Sequence, residues 1–264
     1  MTNPVVLVER RERVMIITLN RPEARNAVNV EVTMAVGAAM EAADQDPDCW
    51  VVILTGAGDK AFCAGADLKA MASGRRNVAA DPKVQAWGFA GYVTHHISKP
   101  TIAAVNGMAI GGGVELTLAS DLAIAADVAV FGLPEVKRGI LAGAGGTFRM
   151  GQQVPPKFAM ELLLTGDSIT AQRALELGLV NAVVPQADVL DAALALAARI
   201  TVNAPLAVQA AKRMARGIVD GTLPAEEDLW RRSKKEGAAL MASEDGREGP
   251  RAFAEKRPPV WKAR

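Results

Sequence analysis

The chain has 264 residues, half of them apolar and 22% charged, and its 30 basic side chains stand against 29 acidic ones for a formal charge of +1. That composition excludes disorder for the bulk of the chain and supports one large domain or a core with an appendage. Near-neutrality argues against a nucleic-acid surface, two cysteines argue against a disulfide scaffold, and the absence of a long apolar run argues against a membrane span or signal peptide. An intracellular, cytoplasmic protein is therefore expected.

In chain order, Val5–Glu9 and Val14–Leu19 read as a hairpin. Val32, Val36, Met40 and Ala43 follow at helical spacing, and Asp46-Pro47-Asp48 stops that helix. Trp50–Leu54 and Thr101–Val105 are short apolar runs of the kind that make buried strands, and each is followed by a glycine loop. A helix is expected to start inside Gly111-Gly112-Gly113 and run through Leu118. Leu122–Ala126 and Val128–Phe131 are further strand candidates. Strand, glycine loop and helix recur, which predicts an α/β layered fold. Ser73–Pro82 is expected to be a loop and Val84–His96 a helix. Met160–Leu164, Ala171–Leu177, Val189–Ile200 and Leu206–Val219 look helical. No strand is expected beyond about Thr201, where Pro205, Pro224 and Pro250 punctuate helical segments. The expected division is a catalytic core over 1–200 and a helical region over 201–264.

Several glycine- and histidine-bearing segments fail as cofactor motifs. Gly56-Ala57-Gly58 follows a strand, but Phe62-Cys63-Ala64-Gly65 stands where a dinucleotide fingerprint needs a continuing helix. Gly143–Thr147 lacks the Lys-Ser/Thr pair of a phosphate loop. His95 and His96 are adjacent, so on a helix they point about 100° apart and serve one metal poorly. No nucleophile elbow, Cys-x-x-Cys or His-Glu-x-x-His is present.

Two small-residue loops remain, Ala61–Leu68 and Gly107–Leu116, together with Glu115 and Glu135. Glycine lets a ligand approach the backbone, and free N–H groups at a helix start can hold a developing oxyanion. Close helix–strand packing accounts for the same glycines. Glu115 in a helix's first turn can complement the dipole, and Glu135 can be an ordinary surface residue. Facing one cleft, the two carboxylates can run acid–base chemistry on water.

The chain resembles the crotonase superfamily, and enoyl-CoA hydratases in particular. The likeness runs through Leu19–Ala27, Ala61–Leu68, Ile102–Gly107, Gly111–Leu116, Phe131–Glu135, Gly143–Thr147, Leu162–Gly166, Ala171–Val180 and Phe253–Pro258. It implies a spiral of ββα repeats followed by a helical trimerisation region, and a homotrimer or a hexamer of paired trimers. It implies an acyl-CoA thioester substrate, with CoA as part of the substrate and neither metal nor separate cofactor. It places the thioester oxygen on the backbone N–H groups of Ala66 and Gly112. It assigns substrate contacts to Arg25, Ala27, Ala64, Asp67, Leu68, Lys69, Phe253 and Lys256. Glu115 is then the base that activates water toward Cβ of a 2-enoyl thioester of fatty or other acyl chains, and Glu135 delivers a proton to Cα. The ending Ser243–Lys262 also resembles carnitinyl-CoA dehydratases, whose substrate carries a trimethylammonium group. Trp87, Phe89 and Tyr92 are the aromatic residues considered for such a cation, with core packing as the competing reading. The same resemblance is compatible with enoyl isomerisation, and with a catalytically silent acyl-CoA binder.

Overall fold

The computed structural model describes residues 3–67 and 81–264. The expected loop over Ser73–Pro82 and the expected contacts Leu68 and Lys69 therefore fall wholly or mostly outside the described residues.

Ten strands among the described residues form two sheets. The larger contains β1 (Val6–Arg11), β2 (Val14–Leu19), β3 (Val51–Gly56), β5 (Thr101–Val105), β7 (Leu122–Ala126) and β10 (Ala182–Val184), in that spatial order. The smaller contains β4 (Ala61–Cys63), β6 (Met108–Ile110), β8 (Val130–Gly132) and β9 (Ser168–Thr170). β1 and β2 make the expected antiparallel hairpin, while β2, β3, β5, β7 and β10 run parallel. Each repeat thus sends its first strand to one sheet and its second to the other: β3 with β4, β5 with β6, β7 with β8. This is the α/β fold of ββα repeats that the sequence implied.

The sequence pattern suggests loops where the second strands β4 and β6 form. They are three residues long, too short for a period-2 pattern, and their pairing partners come from other repeats.

The interior strands are buried on both faces, every residue of β3 and β5 included. Their continuous Val, Ile, Leu and Ala composition follows from that double burial. Helix α1 (Val30–Gln45) buries Val32, Val36, Met40 and Ala43, the expected stripe. Its start is fixed by Asn29, whose side chain accepts from the Val32 N–H. Helix α7 (Val189–Thr201) packs on β3, β5 and β7 through Val189, Ala193 and Ala197.

The expected Val84–His96 helix does not form. A short α2 (Pro82–Ala86) ends before Gly88, which has φ +72°, and Ala90 adopts φ +58°. The aromatic side chains scatter accordingly. Tyr92 is buried with its hydroxyl 2.8 Å from Ser120 Oγ, and Trp87 stacks on His95 with ring centroids 5.1 Å apart.

Helix α3 (Gly112–Ala119) is followed by α4 (Gly146–Gln153), α5 (Pro156–Thr165) and α6 (Ala171–Glu176). The tail holds α8 (Pro205–Arg216), α9 (Pro224–Ala242) and α10 (Glu244–Ala254). Pro205 and Pro224 open helices as expected, but Pro250 lies inside α10 rather than breaking it. No single helix among the described residues is long and apolar enough to cross a membrane.

Candidate active site

The two small-residue loops meet at one place. After β4 the chain turns at Gly65, with φ +88°, and Ala66 forms a parallel bridge with Val28. In that bridge the Val28 N–H donates to Gly65 O at 2.8 Å and the Asp67 N–H donates to Val28 O at 2.9 Å. The N–H of Ala66 therefore points away from Val28, and it has no acceptor among the described residues. Gly111 caps α3, so Gly112 is its first residue and its N–H is one of the helix's unpaired donors. The loops abut: a Cβ on Gly65 would stand 3.2 Å from Gly112 N. A Cβ on Gly113 would overlap the carbonyl oxygen of Cys63, so close packing of α3 on β4 also requires glycine here.

Ala64, Ala66, Gly111, Gly112, Glu115 and Glu135 line one cavity of about 390 Å³. Glu115 is only 4% exposed. It lies in the first turn of its own helix, as the dipole reading expects. Its side chain reaches to the N-terminus of α4, where Gly146 N–H donates to Oε1 at 2.9 Å and the Ala144 amide also favours the ionised carboxylate. Burial, then repulsion from Glu135, raises its pKa well above the ordinary carboxylate range despite those donors.

Glu135 sits on the short helical turn Pro134–Arg138 that follows β8. Its Oε1 would be 2.8 Å from a Cβ at Gly111, so the glycine there, with φ +57°, makes room for the carboxylate. Its Oε2 is buried without a hydrogen-bond partner among the described residues. Burial raises its pKa too. Two carboxyl groups with raised proton affinity in one cleft can serve as a base and an acid side by side.

Phe253 reaches the same cavity from α10, with the Arg138 guanidinium 4.2 Å from its ring centroid. Arg25, Ala27, Asp67 and Lys256 are not on its lining. Arg25 contributes its carbonyl, which accepts from the Ala64 N–H at 3.0 Å, and Asp67 is paired with Arg21 at 2.9 Å.

Sequence reasoning missed the cavity wall formed by Ile140, Leu141 and Ala144, as well as the role of Trp230. A second cavity of about 820 Å³ shares Ala66, Phe89, Gly143 and Ala144 with the first and extends to Glu227, Trp230 and Arg231. No local pattern brings α9 to that spot. Nor do the histidines form a metal site: His95 packs on Trp87, and no cluster of three metal-ligating side chains occurs among the described residues.

A model of the enoyl-CoA hydratase/isomerase family matches residues 9–264. The chain belongs to this family, the crotonases, and is a hydro-lyase of it. The carnitinyl-CoA dehydratase of Salmonella enteritidis PT4 is 43% identical over 259 residues, covering 97% of each chain. The crystal structure of carnitinyl-CoA hydratase from Mycobacterium avium is 60% identical with TM-score 0.97 and full coverage of both chains. That of enoyl-CoA hydratase from Mycobacterium tuberculosis H37Rv is 46% identical with TM-score 0.76, covering 99% of this chain and 100% of the other. Crotonases typically use no cofactor beyond the CoA of their substrates.

Proposed function

We propose that this crotonase adds water across the 2,3 double bond of a four-carbon 2-enoyl-CoA carrying a quaternary ammonium group at C4, and catalyses the reverse dehydration. The substrate pair is crotonobetainyl-CoA and carnitinyl-CoA. The observation that carries hydration is the pair Glu115 and Glu135 facing one cavity beside two unpaired backbone N–H groups. Glu115 takes a proton from water as its oxygen attacks Cβ. The electron pair of the double bond moves onto the thioester oxygen, held by the N–H groups of Ala66 and Gly112. Collapse of that enolate takes a proton at Cα from Glu135.

The ammonium group is supported by the 43% and 60% identities to proteins so named and by the chemistry of the walls. The charged nitrogen lies one methylene beyond Cβ, so it must sit close to the glutamates. An ionised carboxylate, the ring of Phe89 and, farther out, Trp230 with Glu227 are available to a cation there. A plain enoyl-CoA hydratase is the second reading. It is favoured by the size of the adjoining cavity and by Arg231 and Lys234 on its wall, which suit an uncharged longer chain better than a cation. The acyl-CoA is met by an oligomer in this proposal, a trimer or a pair of trimers associating through residues 201–264. Val202, Leu206 and Met214 leave apolar side chains exposed there, at 82%, 75% and 83%.

The test is kcat/KM for crotonobetainyl-CoA against its neutral isostere, 5,5-dimethylhex-2-enoyl-CoA, and against crotonyl-CoA. Recognition of the charge by aromatic faces is expected to favour crotonobetainyl-CoA over the isostere by about 2–30-fold. Equal rates, or faster turnover of the neutral chains, overturn the carnitinyl assignment in favour of the plain hydratase. Binding of acyl-CoA with no turnover of any substrate overturns both.

A further inference from the structure

The Glu115 carboxylate depends on the first turn of α4, and that turn is fastened from elsewhere. Arg149, one turn into α4, donates its backbone N–H to Gly145 O at 2.9 Å. Its guanidinium is 2% exposed and makes a two-pronged pair with Glu226 of α9, Nε to Oε1 at 2.9 Å and Nη2 to Oε2 at 2.7 Å. The two residues are 77 positions apart in sequence. Trp230, one turn beyond Glu226, donates its indole N–H to Glu226 Oε2 at 3.1 Å. Its ring faces the Arg149 guanidinium at 5.4 Å and packs edge-on against Phe148. A Cβ on Gly145 would lie 3.2 Å from that ring.

We propose that Arg149 and Glu226 are a positioning pair for Glu115: they clamp the start of α4 so that Gly146 N–H stays on the carboxylate, with Glu226 as the counter-charge of Arg149. This rests on Glu115 being the base in hydration. A buried guanidinium costs several kcal/mol to desolvate and repays it only when fully paired. One of its nitrogens, Nη1, has no partner among the described residues, so the pair is a costly way to secure stability alone. The charge of Arg149 already acts on Glu115 to favour its ionised form. The other groups facing Glu115 are Glu135, the amides of Ala144 and Gly146, and the thiol of Cys63. His96 faces Arg149 and Glu226, and burial lowers its pKa to about 4, so it stays neutral across the working range.

The two halves of the pair carry opposite charge, so removing each is expected to move the ionisation of Glu115 in opposite directions, and this separates positioning from general scaffolding. Arg149→Met removes the cation and raises the pH at which Glu115 ionises. Glu226→Gln unmasks the cation and lowers it, while the amide oxygen can still accept the Trp230 hydrogen bond. The double variant returns close to the native value but with lower kcat, because the clamp is gone. Two readouts follow the ionisation: the pH dependence of kcat for hydration, and the pH titration of the protonated carboxyl stretch in infrared difference spectra, assigned by its loss in Glu115→Gln. If Glu226→Gln does not fold, Arg149→Met and the double variant still differ by the same shift. Midpoints that do not move, or that move the same way in both single variants, overturn the inference. Infrared midpoints that move as stated in a protein that hydrates no enoyl-CoA overturn the function of Glu115 and leave the pairing intact.

Discussion

Gly146, the first residue of α4, donates its N–H to Glu115 Oε1 at 2.9 Å, and its own α-carbon has no room for a methyl group. A Cβ there would lie 2.9 Å from Ala142 Cβ and 3.0 Å from the oxygen it serves. Gly146→Ala is therefore expected to push the carboxylate aside while leaving the fold intact. Misplacement of a reacting group by about 1 Å costs on the order of 10²-fold in rate. Steady-state kinetics should show that loss in kcat, with CoA affinity by calorimetry near native. Native kcat in the variant would show that Glu115 is not held for chemistry.

In the proposed mechanism the two carboxylates divide one task, so removing either is expected to remove most of the activity. Glu115→Gln and Glu135→Gln should each lower hydration by about 10²–10⁴-fold. The double variant should be only slightly slower than the worse single one, because groups that act as a unit are not additive. The decrease in enoyl-thioester absorbance measures this directly. Losses that multiply would mean that the two glutamates contribute independently rather than as a unit.

The same pair carries a stability cost whose sign follows from its pKa. Both carboxyls bind protons more tightly in the folded state than their ordinary value of 4.5 allows. Their contribution to stability is full below that value and is lost as pH rises through the raised folded-state range. Replacing Glu115 by Gln removes this loss while an amide oxygen can still accept from Gly146. The variant's Tm relative to the native protein is expected to be higher at pH 8 than at pH 5. A Tm difference that is flat between those values would show that Glu115 ionises normally in the folded chain.

Much of this site is legible in the residues, for identifiable reasons. The apolar runs at 51–54 and 101–105 announce doubly buried strands, and α1 follows the spacing of Val32, Val36, Met40 and Ala43. Glu115 and Glu135 are recognisable because carboxylates beside glycine loops are chemically suggestive. The partners that give them function are not. Gly146 lies 31 residues from Glu115 and Glu226 lies 77 from Arg149, and contacts at such separations leave no trace in local periodicity. The expected Val84–His96 helix is interrupted because Gly88 and Ala90 take positive φ angles. Pro250 misleads in the opposite sense. Ser243 accepts from Gly246 N–H and starts α10 firmly, and Glu248 is bound by Arg251 and Arg257, which carries the helix through the proline.

Asn26 offers a test of how the loop that carries Ala66 is held. It is 1% exposed and adopts φ +56°. Its amide donates to Ala57 O at 3.0 Å and Ala61 O at 2.8 Å, while its Oδ1 accepts from Arg21 N–H at 3.0 Å. Beside it, Arg25 O receives the Ala64 N–H, so the turn that Asn26 closes sets the path of the chain from β4 to Ala66. Asn26→Ala strands three backbone groups, at about 1–3 kcal/mol for each that stays buried, and places alanine in a region that asparagine tolerates better. For a chain of this size each kcal/mol lowers Tm by about 2–4 °C, so the loss should be plain in calorimetry. Asn26→Asp keeps the acceptor and the backbone preference but sets a buried carboxylate against the Ala57 and Ala61 carbonyl oxygens, so it should lose at least as much stability. Because the disturbance reaches Ala66 and not the glutamates, kcat should drop in both variants while the pH dependence of kcat stays where it is. An unchanged Tm would show that the turn stands without its side chain, and a moved pH profile would place Asn26 in contact with the acid–base pair instead.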